Sequence, residues 1–167
     1  AASIAEHGII QPVICTKEAD GYRLVVGERR CRASRMAGLK QVPVIIEEMT
    51  ESRLLQVALI ENIQREDLSP VEEARALQRL VKDFEMTHAT VADAVGRSRA
   101  MVSNLLRLLE LPDPVMTMLE RRELDMGHAR ALLTVDSAED QLTLARRVVK
   151  EGWSVRETER AVRRLSE

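Results

Sequence analysis

Short apolar runs fill the first third of the chain, and apolar residues spaced three and four apart take over after it. Ala1 to His7, closed by Gly8, reads as the tail of a helix whose start lies before Ala1, so the sequence reads as a fragment of a longer chain. Ile9-Ile10-Gln11-Pro12-Val13-Ile14-Cys15 is an extended apolar segment. Lys17 to Gly21, with its Asp-Gly pair, turns it back into a strand at Tyr22–Val26. Ala33-Ser34-Arg35-Met36-Ala37-Gly38 reads as a helix closed by glycine, and Val42–Ile46 as a third strand. From Glu51 to Ile63, Leu54, Leu55, Ala58 and Leu59 keep helical spacing. The first third is therefore predicted to be a small α/β unit.

Everything after it reads as helix. Ser69-Pro70-Val71-Glu72 is a capping box with proline at the first helical position, opening a helix to about Glu85 with Ala74, Leu77, Leu80 and Val81 on one face. Thr87 to Val95 is a short helix, Gly96-Arg97-Ser98 a tight turn, and Arg99 to Leu109 a second helix. Ala92, Gly96, Val102 and Leu105 hold the small, turn and core positions of a helix-turn-helix. Pro112 ends the second helix. Further helices open at Asp113-Pro114, at Met126-Gly127-His128, at Ser137 with Asp140, and at Ser154 with Glu157. His128 has no His or Cys partner at metal-ligand spacing and reads as a helix-start residue.

The spacing thus predicts an α+β chain, with an α/β domain over 1–68 and an all-helical domain over 69–167. Composition sharpens that picture only in places. Hydrophobic residues make up 45% and aromatics 2%, so the cores must be aliphatic. The net charge of −2 hides segregation. Gly21 to Val42 holds six Lys/Arg and one acid, Glu47 to Glu73 eight acids and two arginines, and Gly96 to Leu109 three arginines and no acid. Local fields therefore matter more than the total. Cys15 and Cys31 offer neither metal-ligand spacing nor a disulfide framework, which fits a reducing compartment. The sequence shows no signal peptide and no apolar run of membrane-spanning length.

Three stretches carry candidate chemistry. Gly27-Glu28-Arg29-Arg30-Cys31-Arg32 sits where a strand becomes a helix. Free N–H groups and the helix dipole favour an anion there, and guanidinium forks bind phosphate oxygens bidentately. Glu61 and Asn62, with Arg65 close behind, are oxygen donors of the kind Mg²⁺ accepts beside phosphates. In the helix-turn-helix, Arg97, Ser98, Arg99, Ser103, Asn104 and Arg107 are available for phosphates and base edges, with Ser98 also a candidate N-cap. Arginine suits guanine and asparagine adenine.

Taken with Gly8-Ile9-Ile10-Gln11-Pro12 and with the order of the helices, these stretches resemble the ParB family of chromosome and plasmid partition proteins over nearly the whole chain. The resemblance implies binding and slow hydrolysis of CTP with Mg²⁺. Ile10, Gln11 and Pro12 would face the cytosine, Gly27, Glu28, Arg29, Arg30 and Arg32 the triphosphate, and Glu61, Asn62 and Arg65 the magnesium side. Glu61 would be the residue on which hydrolysis depends. It also implies palindromic, centromere-like DNA as a partner, with Arg130 as a further phosphate contact, and a homodimer whose N-terminal domains associate when ligands bind. A ParA-type ATPase, met through a tail absent here, and a cytoplasmic, nucleoid-associated location complete what it implies. Cys31 departs from the bulky aromatic usual at its position.

Two other classes fit parts of the pattern. A plain repressor with a passive α/β scaffold leaves the arginines and Glu61-Asn62 unexplained. A cysteine or phosphotransfer enzyme of the sulfiredoxin type needs its thiol close behind the loop glycine, where Glu28 and Arg29 stand. Within the family, a transcriptional repressor or a nucleoid-occlusion protein would use the same modules.

Overall fold

The computed structural model of the chain describes Gly8 and residues 11–166. The helix expected over Ala1–His7 and the Ile9-Ile10 pair lie outside the described residues. Two compact units emerge, Ala1–Leu59 and Ile60–Glu167. The expected α+β class holds: a small sheet-and-helix region precedes a helical one.

In the first unit, β1 (Val13–Glu18) and β2 (Gly21–Val26) form an antiparallel hairpin, and β3 (Val44–Ile46) pairs with β1 in parallel, giving the order β2-β1-β3. Glu18 pairs with Gly21, so the turn is only Ala19-Asp20 and β1 runs three residues beyond Cys15. The longer turn expected from Lys17 to Gly21 is displaced by this tight register. Helix α1 spans Glu28–Met36 and so begins five residues before the expected start at Ala33. Gly27 explains the shift. At φ 107° it turns the strand directly into the helix, a conformation that L side chains rarely adopt. The arginines consequently lie in the first turns of a helix. Helix α2 follows at Glu51–Ile63, as its spacing predicts, and its last residues, from Ile60, count with the second unit.

The second unit is a helical bundle. Its centre is α3 (Pro70–Asp83), which buries Val71, Ala74, Leu77 and Leu80, while Val81 is only half-buried. The Ser69 hydroxyl accepts from the Glu72 amide at 3.1 Å and the Glu72 carboxylate accepts from the Ser69 amide at 2.8 Å, completing the capping box. Helices α4 (His88–Val95) and α5 (Arg99–Arg107) pack on α3 through Val91, Ala92, Val95, Val102 and Leu105, all buried. Regular α-helix stops at Arg107 rather than Leu109, because Leu108–Glu110 tightens into a 3₁₀ turn that buries Leu108. Helices α6 (Asp113–Glu120), α7 (Met126–Leu132), α8 (Ala138–Glu151) and α9 (Val155–Ser166) complete the unit. No helix among the described residues is long and apolar enough to cross a membrane.

His128 joins two of these helices. The Asp125 amide donates to Nδ1 at 3.0 Å, so that nitrogen is the acceptor and Nε2–H donates to the Trp153 carbonyl at 3.0 Å. Both ring nitrogens are thus engaged in capping α7 and tying it to the turn before α9. The expected helix-start role fits this geometry.

Candidate functional site

The first unit places its candidate residues at the head of α1. Gly27 is the N-cap and supplies no side-chain acceptor, so the first-turn N–H groups of α1 receive no side-chain cap. Glycine is required there by space as well as by φ: a Cβ would come within 2.7 Å of Val13 Cγ1. The three arginines then differ in employment. Arg29 is exposed and without a partner among the described residues. Arg32 pairs with Glu28 one turn back at 3.3 Å, both side chains well exposed, an arrangement that competes only weakly with an incoming anion. Arg30 Nη1 donates to the Gln11 carbonyl at 2.9 Å and the Pro12 carbonyl at 2.7 Å. The structure thereby brings Gln11, Pro12, Gly27 and Arg30 together; Ile10 lies outside the described residues. Beneath them, the buried Ser34 hydroxyl donates to the Arg30 carbonyl at 2.7 Å and steadies that turn.

The second unit carries Glu61, Asn62 and Arg65 at the end of α2. Glu61 and Asn62 are exposed, and neither side chain has a partner among the described residues. Arg65 is occupied: its Nε and Nη2 donate to the two carboxylate oxygens of Asp67 at 3.1 and 3.0 Å. This fork holds the Asp67 carboxyl below the usual carboxylate range, through the Arg65 hydrogen bond first, then the backbone amide of Asp67 itself and then the opposite charge; it pushes Arg65 up through the same hydrogen bond and the Asp67 charge. Asp67 went unremarked in the sequence because a pair two residues apart at a helix exit follows no periodic rule. No group of three or more His, Cys, Asp or Glu positioned for a metal occurs among the described residues. One carboxylate and one amide nonetheless fit a magnesium ion that takes its remaining ligands from phosphates and water.

The helix-turn-helix is built as its sequence dictates. The Thr87 hydroxyl accepts from the Thr90 amide at 3.2 Å, Gly96 closes α4 at φ 69°, and the Ser98 hydroxyl accepts from the Met101 amide at 3.1 Å. Arg99, Asn104 and Arg107 stand exposed along α5 with no partner among the described residues. Ser103 is half-buried, its hydroxyl 3.2 Å from Nδ1 of His88, so it braces α5 against α4. Arg97 Nε donates to Glu73 on α3 at 3.3 Å, and the Glu73 side chain is only 12% exposed. His88 and Glu73 are supports that no local motif announces, since each acts on a residue 15 or more positions away. Arg130, on α7, comes beside α5: with Ser98, Met101, Asn104 and Met126 it lines a hollow of about 330 Å³.

Comparison with known proteins agrees with this layout. A model of the ParB N-terminal domain matches residues 1–63, and one of the ParB HTH domain matches residues 66–167. A probable chromosome-partitioning protein ParB of Xylella fastidiosa is 57% identical over 160 residues, covering 95% of this chain and 51% of that protein. One of Neisseria meningitidis is 53% identical over 161 residues, covering 96% of this chain and 56% of its own. The chain spans about half the length of these curated relatives. Among solved structures, the C-terminally truncated chromosome-partitioning protein ParB of Caulobacter crescentus, complexed to the centromeric parS site, is 39% identical with a TM-score of 0.80, covering 97% of this chain and 86% of that one.

Proposed function

Because the chain belongs to the ParB family, we propose that it is the nucleotide- and DNA-binding part of a chromosome-partitioning protein that closes on DNA as a CTP-dependent clamp. The observation that carries the DNA half is the α4–α5 pair, whose outer side offers Arg99, Asn104 and Arg107 with no acid between Gly96 and Leu109. The Caulobacter crescentus relative, which is complexed to the centromeric parS site, supports a centromere-like DNA partner, and its palindromy follows from the family resemblance. Arg99 and Asn104 read base edges, Arg107 and Arg130 meet phosphates, and Arg97, Ser98 and Ser103 set the helix in place for them.

The nucleotide half rests on the uncapped, glycine-headed α1 with its arginines. Arg29 and Arg32 take the triphosphate, and Arg30 joins them while holding the Gln11–Pro12 backbone that faces the base. The preference for CTP follows from the family resemblance. Glu61 and Asn62 are the magnesium-side residues, with Arg65 nearby, as the family resemblance implies. Magnesium, when bound, neutralises phosphate charge. Glu61 is the residue on which slow hydrolysis depends. The ParA-type ATPase partner, the homodimer and a cytoplasmic location belong to the same reading.

A ligand shifts an open–closed equilibrium only by binding one state more tightly. CTP with Mg²⁺ therefore favours the closed pair of N-terminal units, and cognate DNA promotes closure. The test is bismaleimide crosslinking through a single surface cysteine introduced in the first unit, in a Cys15→Ser, Cys31→Ser background. Crosslinked dimer should rise with CTP, Mg²⁺ and cognate DNA together; Glu61→Gln should keep it closed longer if Glu61 acts on hydrolysis, and should fail to bind CTP if Glu61 is chiefly a magnesium ligand. Crosslinking indifferent to both ligands leaves a nucleotide-blind DNA binder.

A further inference from the structure

The two cysteines are both free thiols, Cys15 buried on β1 and Cys31 half-buried on α1. Val13 and Cys15 lie two residues apart on β1 in an unbroken parallel register with β3, so their side chains leave the same face of the sheet. The head of α1 lies against that face, since a Cβ on Gly27 would come within 2.7 Å of Val13 Cγ1. Cys31 sits one turn further along α1, its amide donating to the Gly27 carbonyl at 2.9 Å. One helical turn advances about 5.4 Å and two strand residues about 6.6 Å. The step from Gly27 to Cys31 is thus close in length to the step from Val13 to Cys15, and α1 packs on β1, which carries Cys31 toward Cys15. The electrostatics agree: burial pushes the Cys15 thiol up, and Cys31 as a neighbour adds to the shift. Neither sulfur serves the nucleotide or DNA contacts described above.

We propose that Cys15 and Cys31 form a dithiol–disulfide site, oxidised by a hydroperoxide, that ties the first turn of α1 to β1. Cys31 is the more accessible of the two and reacts first. Its thiolate attacks a peroxide oxygen and the O–O bond breaks. The departing oxygen takes a proton and leaves as alcohol or, from hydrogen peroxide, as water, so Cys31 becomes a sulfenic acid. The Cys15 sulfur then attacks the Cys31 sulfur, the S–O bond breaks, and the hydroxide leaves as water with the Cys15 proton. In sum the thiols lose two electrons and two protons, and the peroxide is reduced. The bridge holds in place the turn that carries Arg29, Arg30 and Arg32, and a dithiol reductant reopens it.

The experiment treats the reduced chain with hydrogen peroxide, alkylates what remains, and maps the digest by mass spectrometry without reduction. The expected product is monomeric, lacks two hydrogens, has lost both free thiols, and yields one peptide pair joining Cys15 to Cys31. Dithiothreitol should restore both thiols. Amide exchange over Glu28–Met36 should be slower in the oxidised form, a readout on the parent chain that needs no variant. In Cys15→Ser, Cys31 should stop at a sulfenic acid that dimedone traps. Oxidation that leaves Cys15 a free thiol in the parent, with Cys31 carried on to sulfinic acid or linked to a second chain, would overturn the proposal.

Discussion

A single nitrogen of Arg30, Nη1, donates to the Pro12 carbonyl at 2.7 Å and to the Gln11 carbonyl at 2.9 Å. An arginine placed by sequence among phosphate ligands thus also fixes the segment that the family resemblance sets against the nucleobase. It joins the start of β1 to the head of α1 across 18 and 19 residues of sequence.

Arg30→Ala should therefore do two things. A charge-assisted hydrogen bond contributes roughly 1.5–3 kcal/mol and several arginines act together on one ligand, so triphosphate binding should be lost. Without nucleotide, the Val13 amide, which donates to the Pro43 carbonyl at 3.2 Å, should exchange faster. Specific DNA binding should remain measurable. Calorimetry reads the first effect and hydrogen exchange the second; unchanged exchange reduces Arg30 to a phosphate contact.

Gly27→Ala meets two obstacles, a φ of 107° and Val13 Cγ1 at 2.7 Å from the new Cβ. Left-handed backbone strain and overpacking each cost about 1–3 kcal/mol. The melting transition of the first unit should drop by about 10 °C or more. Gly96→Ala meets the same kind of φ but open space, and should cost less. Equal melting of the two variants would show that the Val13 contact yields freely.

Arg99→Ala and Arg97→Ala should separate by sequence dependence. Losing a base contact at Arg99 should weaken binding to a cognate palindrome by about 1–3 kcal/mol, with a smaller loss on random DNA. Arg97 is already paired with Glu73, so its removal should act through helix placement and more weakly. Fluorescence anisotropy on both DNAs at matched salt decides. Equal losses for Arg99→Ala on both would make it a backbone contact.

Glu72 supplies a pH dependence. The Ser69 amide, and then the Ser69 hydroxyl, hold its carboxyl below the ordinary range. A depressed folded value means that its contribution is fully present above the ordinary glutamate value of about 4.3 and is lost as pH falls through the lower folded value. Glu72→Gln should thus melt below the parent at pH 7, and the gap should close as pH falls below the ordinary glutamate value. A gap independent of pH would show that the cap works through shape and not charge.

Most of the helical unit was legible from sequence, because capping boxes and apolar spacing are local. Ser69, Ser98 and Ser154 begin helices where their neighbours predict. The sheet unit was less so. Its hairpin turn is set by pairing Glu18 with Gly21, and the head of α1 by the fit of Gly27 against Val13, both decided across strands. The arginines at α1 were legible as a cationic helix head, but their division of labour was not. Arg30 is claimed by distant carbonyls and Arg65 by Asp67, and residue type does not reveal which partner a guanidinium reaches first. Ser103 illustrates the same limit, since its partner His88 lies on the preceding helix.

Isothermal titration calorimetry with CTP, UTP, ATP and GTP, each with Mg²⁺ and with and without cognate DNA, tests the central claim most directly. The account predicts saturable one-to-one binding of CTP, weak or undetectable heat from the other three, and loss of the CTP signal in Arg30→Ala. Equal affinity for all four, or no binding of CTP in either condition, would contradict it.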